Sequence, residues 1–196
     1  MSNENPGEIK KERDGYRVGL PAVTLSRHFG SIHEKDGLYE LVFERLLDHA
    51  VEKVWNAITL PEQISLWLSP NNKAVTTSIE LRPGGHVRLQ LMMAAIEGKI
   101  TRVIENNILE YSLEGDTVLR WELFEAGKGR CRLVFTQSGT PFSHLEGTAA
   151  GWHGYLDFLA LALGGKEIPQ FPLELWSEIS KEVNIVYHQL IKQAEK

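Results

Sequence analysis

The chain has 196 residues, with 21 lysines and arginines against 26 aspartates and glutamates, a formal net charge of −5, and 42% hydrophobic residues. This balance indicates one globular domain with extensions, large enough to fold on its own apolar core without a metal or disulfide staple. The single cysteine, Cys131, excludes an intrachain disulfide and fits a reducing cytoplasm, and the acidic excess argues against a nucleic-acid partner.

In chain order, residues 1 to about 15 are polar and read as a loose arm with no signal-peptide core. Tyr16 to Phe29 alternates weakly around Pro21, and both an edge strand and an ordered loop fit it. Leu38 to Leu46 is a strand with Tyr39, Leu41 and Phe43 on one face and Glu40 and Glu44 on the other. Asp48 is positioned to cap a helix whose stripe is Val51, Val54, Trp55 and Ile58. Thr59 and Glu62 have capping-box spacing for a second short helix, with Pro61 in its first turn and Leu60, Ile64, Trp67 and Leu68 as its buried stripe.

Short strands follow, split by turn residues: Val75–Leu81, His86–Met92, Ile96–Ile104, Ile108–Leu113, Thr117–Glu125 and Arg130–Gln137. Connections this short make consecutive antiparallel hairpins. Leu119, Trp121 and Leu123 on one strand, and Cys131, Leu133 and Phe135 on the next, define an apolar face that needs a cover. Ser143 and Glu146 have capping-box spacing for a long helix ending at Gly164-Gly165, with Trp152, Tyr155, Leu156, Leu159 and Leu163 as its stripe. This helix spans roughly 30 Å, enough to lie across the sheet. Leu173 to about Gln193 reads as a last helix with a stripe of Trp176, Ile179, Val183, Val186, Tyr187 and Leu190. The most apolar stretch, Tyr155 to Leu163, is too short to cross a bilayer.

No catalytic motif emerges. The histidines have no metal-ligand spacing, so no metal and no cofactor are expected, and there is no phosphate-binding loop or nucleophile elbow. Cys131 falls on the apolar face of its strand and reads as a small buried hydrophobe. His153 and Asp157 lie four apart on the long helix, which makes them neighbours. They read either as an acid/base or anchoring pair at a cavity mouth or as a solvated helix pair. Arg45 shares the parity of Leu41 and Phe43, and reads either as an internally paired or snorkelling side chain or as a contact for a ligand carboxylate. Arg102 shares parity with Ile100, and a bulge after Gly98 would turn it outward.

Taken in order, several segments resemble one family. They are Phe43-Glu44-Arg45-Leu46, Val51 to Glu62 with Trp67, Leu81-Arg82-Pro83-Gly84-Gly85-His86-Val87-Arg88, Gly98-Lys99-Ile100, Ile108-Leu109-Glu110-Tyr111, Val118 to Leu123, and Gly151-Trp152 with Leu156 and Leu159. The chain resembles the activator of heat shock protein 90 ATPase homologue family, of the START-like or SRPBCC superfamily, over roughly residues 38–165. The resemblance implies an α+β helix-grip: a curved antiparallel sheet wrapped around a long C-terminal helix, with two short helices between the first two strands. It divides the chain into a 1–37 arm, a 38–165 START-like domain and a 166–196 helical extension of the same domain.

The resemblance also implies a cavity between sheet and helix for a small hydrophobic molecule. Trp67, Trp121, Leu123, Trp152, His153, Tyr155 and Leu159 are the expected ligand-binding residues, with His153 near the polar mouth. Gly147, Ala149, Ala150, Gly151 and Gly154 leave the helix little volume with which to fill such a gap. Two other functions compete with ligand binding. One is a cochaperone-like module acting on a chaperone ATPase in a stress response; the other is a cyclase or aromatase acting on a polyketide-like substrate. A cytoplasmic monomer or homodimer fits each of them.

Overall fold

The computed structural model describes residues 10–12, 15–17, 28–70, 77–92, 94–166, 168 and 180–194. Among the described residues there are ten strands and four helices. β1 (Lys10–Glu12) and β2 (Gly15–Arg17) form a separate two-stranded hairpin. β3 (Ser31–Lys35) and β4 (Leu38–Leu47) open the main sheet. Two short helices follow, α1 (Val51–Thr59) and α2 (Pro61–Leu68). β5 (Ser78–Ile79), β6 (His86–Gln90), β7 (Ala95–Ile104), β8 (Ile108–Ser112), β9 (Val118–Glu125) and β10 (Cys131–Thr140) then run as a meander. α3 (Phe142–Leu163) and α4 (Lys181–Ala194) complete the chain.

The main sheet has eight antiparallel strands in the order β3-β4-β10-β9-β8-β7-β6-β5. This is the helix-grip arrangement, with α3, about 33 Å long, as the gripped helix. Inward rows run straight across the sheet: Phe43 opposes Phe135, which opposes Trp121, which opposes Leu109. In β4 the alternation buries Leu41, Phe43, Arg45 and Leu47 and leaves Glu44 and Leu46 outside. Thr101 is an extra residue between the Ile100–Tyr111 and Arg102–Glu110 pairs. This bulge turns Arg102 outward, as expected, but at Thr101 and not directly at Gly98.

Several local expectations are corrected. Ser31–Lys35, within the segment read as an arm, is an edge strand paired with β4. The Asp36-Gly37 turn makes that pairing possible: both residues have positive φ, 54° and 79°, as a two-residue hairpin with right-handed twist requires. Asp48 is not the cap of α1, because Ala50 occupies that position without a side-chain hydrogen bond. Leu60 and Pro141 likewise precede α2 and α3, so neither the Thr59/Glu62 nor the Ser143/Glu146 spacing forms a capping box. The Thr59 hydroxyl instead donates back to Trp55 O within α1.

The expected stop of α3 is present. Gly165 takes a φ of 68°, and Lys166 N and Gly165 N donate to Leu161 O and Ala162 O, a Schellman closure. Of the last stripe, Val183 and Tyr187 are buried and Val186 and Leu190 half-buried, and Ile191, which that stripe did not include, is buried beside them. α4 packs on α3 and β3 of its own chain. Trp176, Ile179 and the start read at Leu173 lie outside the described residues, as do Val75 and the Tyr16–Phe29 alternation between 18 and 27.

Candidate functional site

α3 does not lie evenly over the sheet. It approaches β4 and β10 most closely and stands further from β6, β7 and β8. Its side chains therefore meet three different surroundings around the helix.

Trp152 points down onto the middle of the sheet. Its ring lies 4.3 Å from Phe135 and 5.9 Å from Trp121, and its Nε1 donates to Gln137 Oε1 at 2.5 Å. Trp121 lies 4.3 Å from Phe135 and meets Trp67 of α2 edge-on at 6.0 Å. Such tilted and edge-to-face pairs are the favoured geometries for aromatic rings. Trp121 Nε1 donates to Tyr111 Oη, and burial pushes the Tyr111 phenol up. Leu123 is buried at the end of β9 that approaches α1, and Leu159 is buried on α3.

Tyr155 reaches toward β6. Its ring is 5.8 Å from Trp152, and its hydroxyl accepts a 3.2 Å hydrogen bond from Met92 N, just past β6. Burial raises its pKa. The tyrosine thus bridges the wide side of the grip and holds the β6–β7 connection against the helix.

The opposite flank carries His153, which is fully buried. Tyr187 Oη accepts from Gly30 N at 2.9 Å and lies 3.1 Å from His153 Nδ1. Because the Asp157 carboxylate can only accept, the ring proton is placed on Nε2, which faces Asp157 Oδ2 at 3.6 Å, and Nδ1 accepts the Tyr187 hydroxyl proton. Asp157 Oδ1 lies 3.5 Å from Arg45 Nη2, and Arg45 Nη1 donates to His28 O at 2.7 Å and to Glu44 O at 3.1 Å. Phe29 packs 5.0 Å from the imidazole and 5.6 Å from the phenol. Burial raises Tyr187 to about 12 and holds Arg45 below its ordinary value, against the pull of Asp157. The expected His153–Asp157 pairing is therefore real, and Arg45 pairs internally. The imidazole, however, faces the docked α4 and the chain entering β3, and not the aromatic cluster around Trp152. Gly30 and Tyr187 were not singled out for this role in the sequence, since the hydroxyl bond between them spans 157 residues.

The small residues of α3 divide between sides. Ala149, Ala150 and Gly154 are buried, whereas Gly147 is exposed and Gly151 half-buried. A Cβ added at Gly147 or Gly151 would meet nothing within 4 Å, because both face away from the helix's buried side. Cys131 is fully buried and its thiol is pushed up by that burial.

Two clefts open at other places. One of about 250 Å³ lies where α1, α2 and the end of α3 meet, with Lys53, Asn56 and Trp67 on its walls. The other, about 580 Å³, runs between the start of α1 and the β7–β8 turn, beside Asn106, Leu123 and Phe124. Among the described residues no three histidine, cysteine or acidic side chains come together as metal ligands, and no helix is long and apolar enough to cross a membrane.

Comparison with known proteins adds to this geometry. The family model described as activator of Hsp90 ATPase homolog 1-like protein matches residues 48–164. Among solved structures, the chain is similar to CalU16 from Micromonospora echinospora, at 21% identity and a TM-score of 0.66, over 89% of this chain and 100% of that one. It is similar to a conserved protein of unknown function from Enterococcus faecalis, at 19% identity and a TM-score of 0.65, over 85% and 92% of the two chains. It is also similar to the Aha1 dimer from Colwellia psychrerythraea, at 18% identity and a TM-score of 0.52, over 63% and 95%. No curated protein matches the sequence significantly.

Proposed function

The chain belongs to the activator of Hsp90 ATPase homolog 1-like family, and we propose that this START-like protein binds a small hydrophobic ligand between α3 and the β6–β9 side of the concave sheet. The observation that carries this reading is the uneven grip: α3 is tight over β4 and β10 and wide over β6 to β8, and the wide side is bridged by Tyr155 and Trp121. Trp67, Trp152, Leu123 and Leu159 complete an apolar surround with few polar groups, the composition expected of a ligand site. Breaking the bond from Met92 N to Tyr155 Oη would free the β6–β7 connection and admit a ligand edge-on. His153 acts here as a positioning residue. Tyr187 of α4 holds His153, and Arg45 of β4 holds its neighbour Asp157, and together these contacts fix the face that α3 presents to the sheet. The buried thiol of Cys131 suits a cytoplasmic protein.

The test is a titration with N-phenyl-1-naphthylamine, followed by its fluorescence and displaced by palmitate. Binding with a Kd of about micromolar order is expected, weakened at least tenfold in Trp121→Leu. Tyr155→Phe, which keeps the ring, should speed association. Absence of saturable binding in a folded protein would overturn the reading. A chaperone ATPase as partner is the second reading, favoured by the family description. An increase in the turnover of a purified heat shock protein 90 ATPase on adding this protein would support it.

A further inference from the structure

The cleft where α1, α2 and the end of α3 meet has a different chemistry from the aromatic cluster. Its floor is apolar: Ala57, Trp67 and Leu163 are all buried. Its rim carries Lys53, Asn56 and Gln63. Among the described residues on its walls, Lys53 is the only ionisable one. Its ammonium donates to Leu163 O at 2.7 Å and lies 3.5 Å from His49 Nδ1, so both protein partners are neutral acceptors. Burial, together with the neighbouring ammonium, holds His49 below its ordinary pKa and keeps that acceptor uncharged at neutral pH. Among the described residues Lys53 makes no ion pair. An ammonium has three donors, so at least one is left for a group from outside.

We propose that this cleft is a second binding site, for a small monocarboxylate with an aromatic or short aliphatic body. The carboxylate would supply Lys53 with its counter-ion and accept from the Asn56 or Gln63 amide, while the body lies on Trp67 and Ala57. At about 250 Å³ the cleft suits a molecule the size of a phenyl-substituted short-chain acid and not a long lipid. The site is distinct from the one proposed for the wide side of the grip, with which it shares the Trp67 ring. Trp67 is among the residues that line the cleft, and its ring meets Trp121 edge-on at 6.0 Å.

Trp67 also provides the readout, because its Nε1–H donates to Ala57 O, a cleft residue. The experiment is a nitrogen-resolved NMR titration of the full chain with 3-phenylpropionate, with 3-phenylpropanol as the uncharged control. The Trp67 indole signal, assigned through Trp67→Phe, should shift saturably with the acid and at least fivefold more weakly with the alcohol. Lys53→Met should abolish the preference for the acid. Ala162→Leu, which fills the cleft from its half-buried wall and leaves Lys53 in place, should abolish the shift altogether. Equal binding of acid and alcohol would overturn the carboxylate assignment. Shifts confined to the Trp121 and Trp152 indoles, or no saturable shift at all, would overturn the site. A failure of palmitate to displace naphthylamine bears only on the other reading.

Discussion

The hydroxyl of Tyr187, on the last helix, lies 3.1 Å from Nδ1 of His153, on the gripped helix, and both side chains are fully buried. The same oxygen accepts the Gly30 amide, so one phenol ties the entry to β3, α3 and α4 together. Removing a partner from a buried network leaves donors or acceptors that water cannot reach.

Tyr187→Phe keeps the ring against Phe29 and Phe43 but orphans both Gly30 N and His153 Nδ1. The expected loss is about 1–3 kcal/mol, read as a lower midpoint in urea with an unchanged slope. A midpoint within experimental error of the parent would contradict the role given to the hydroxyl.

Alkaline pH should weaken the same tie. Tyr187 is raised from 10.0 to about 12 by burial, so it is neutral in both folded and unfolded chains below pH 10. Between pH 10 and about 12 the unfolded chain loses this proton and the folded chain keeps it. Stability therefore falls as pH rises through that window, by about 1.4 kcal/mol per unit for this group. Tyr111 and Tyr155 shift in the same direction and add to the slope. In Tyr187→Phe the decline should be shallower, so the gap between parent and variant should narrow from pH 10 to pH 12 in denaturation curves.

Two glycine substitutions should move stability in opposite directions. A Cβ at Gly98 would lie 2.2 Å from Ser112 O on β8, a backbone atom that cannot yield without parting the strands. Gly98→Ala should cost about 1–3 kcal/mol. A Cβ at Gly147, inside α3, would meet nothing within 4 Å. Gly147→Ala should stabilise by roughly 0.5–1 kcal/mol, since alanine restricts the unfolded chain and favours helix. Thermal melts of the pair would show both signs.

Ending the chain after Gly165 removes Val183, Tyr187 and Ile191 from the core. Each such side chain contributes on the order of 1.5–3 kcal/mol on burial, so the shortened protein should melt markedly lower or aggregate. The docking of α4 within its own chain predicts no accompanying change from dimer to monomer, which size-exclusion chromatography would reveal.

The strands were readable because one-sided burial imposes a period of two, which is plain in Leu119, Trp121 and Leu123. The helix starts were not, because a Ser, Thr or Asp near the first turn acts as a cap only from the residue just before it. Ala50, Leu60 and Pro141 hold those places. β3 carried a signal that could have been used, the Asp36-Gly37 pair flanked by short alternations. The aromatic residues of the proposed ligand site were nameable from parity alone. The direction of His153 was not, since it depends on a hydroxyl 34 residues away, on a helix whose docking has no local signature.

The bond between Gly30 and Tyr187 closes a loop of 157 residues, and this sets an order of events during synthesis. A ribosome adds about 5–20 residues per second, so the amide at Gly30 waits roughly 8–30 s before its acceptor exists. In that interval the strands and α3 are made, while the imidazole of His153 still lacks the Tyr187 hydroxyl. Until Tyr187 is added, nothing can accept the Gly30 amide at that position, so the flank of α3 that α4 buries is the last part of the core to be closed.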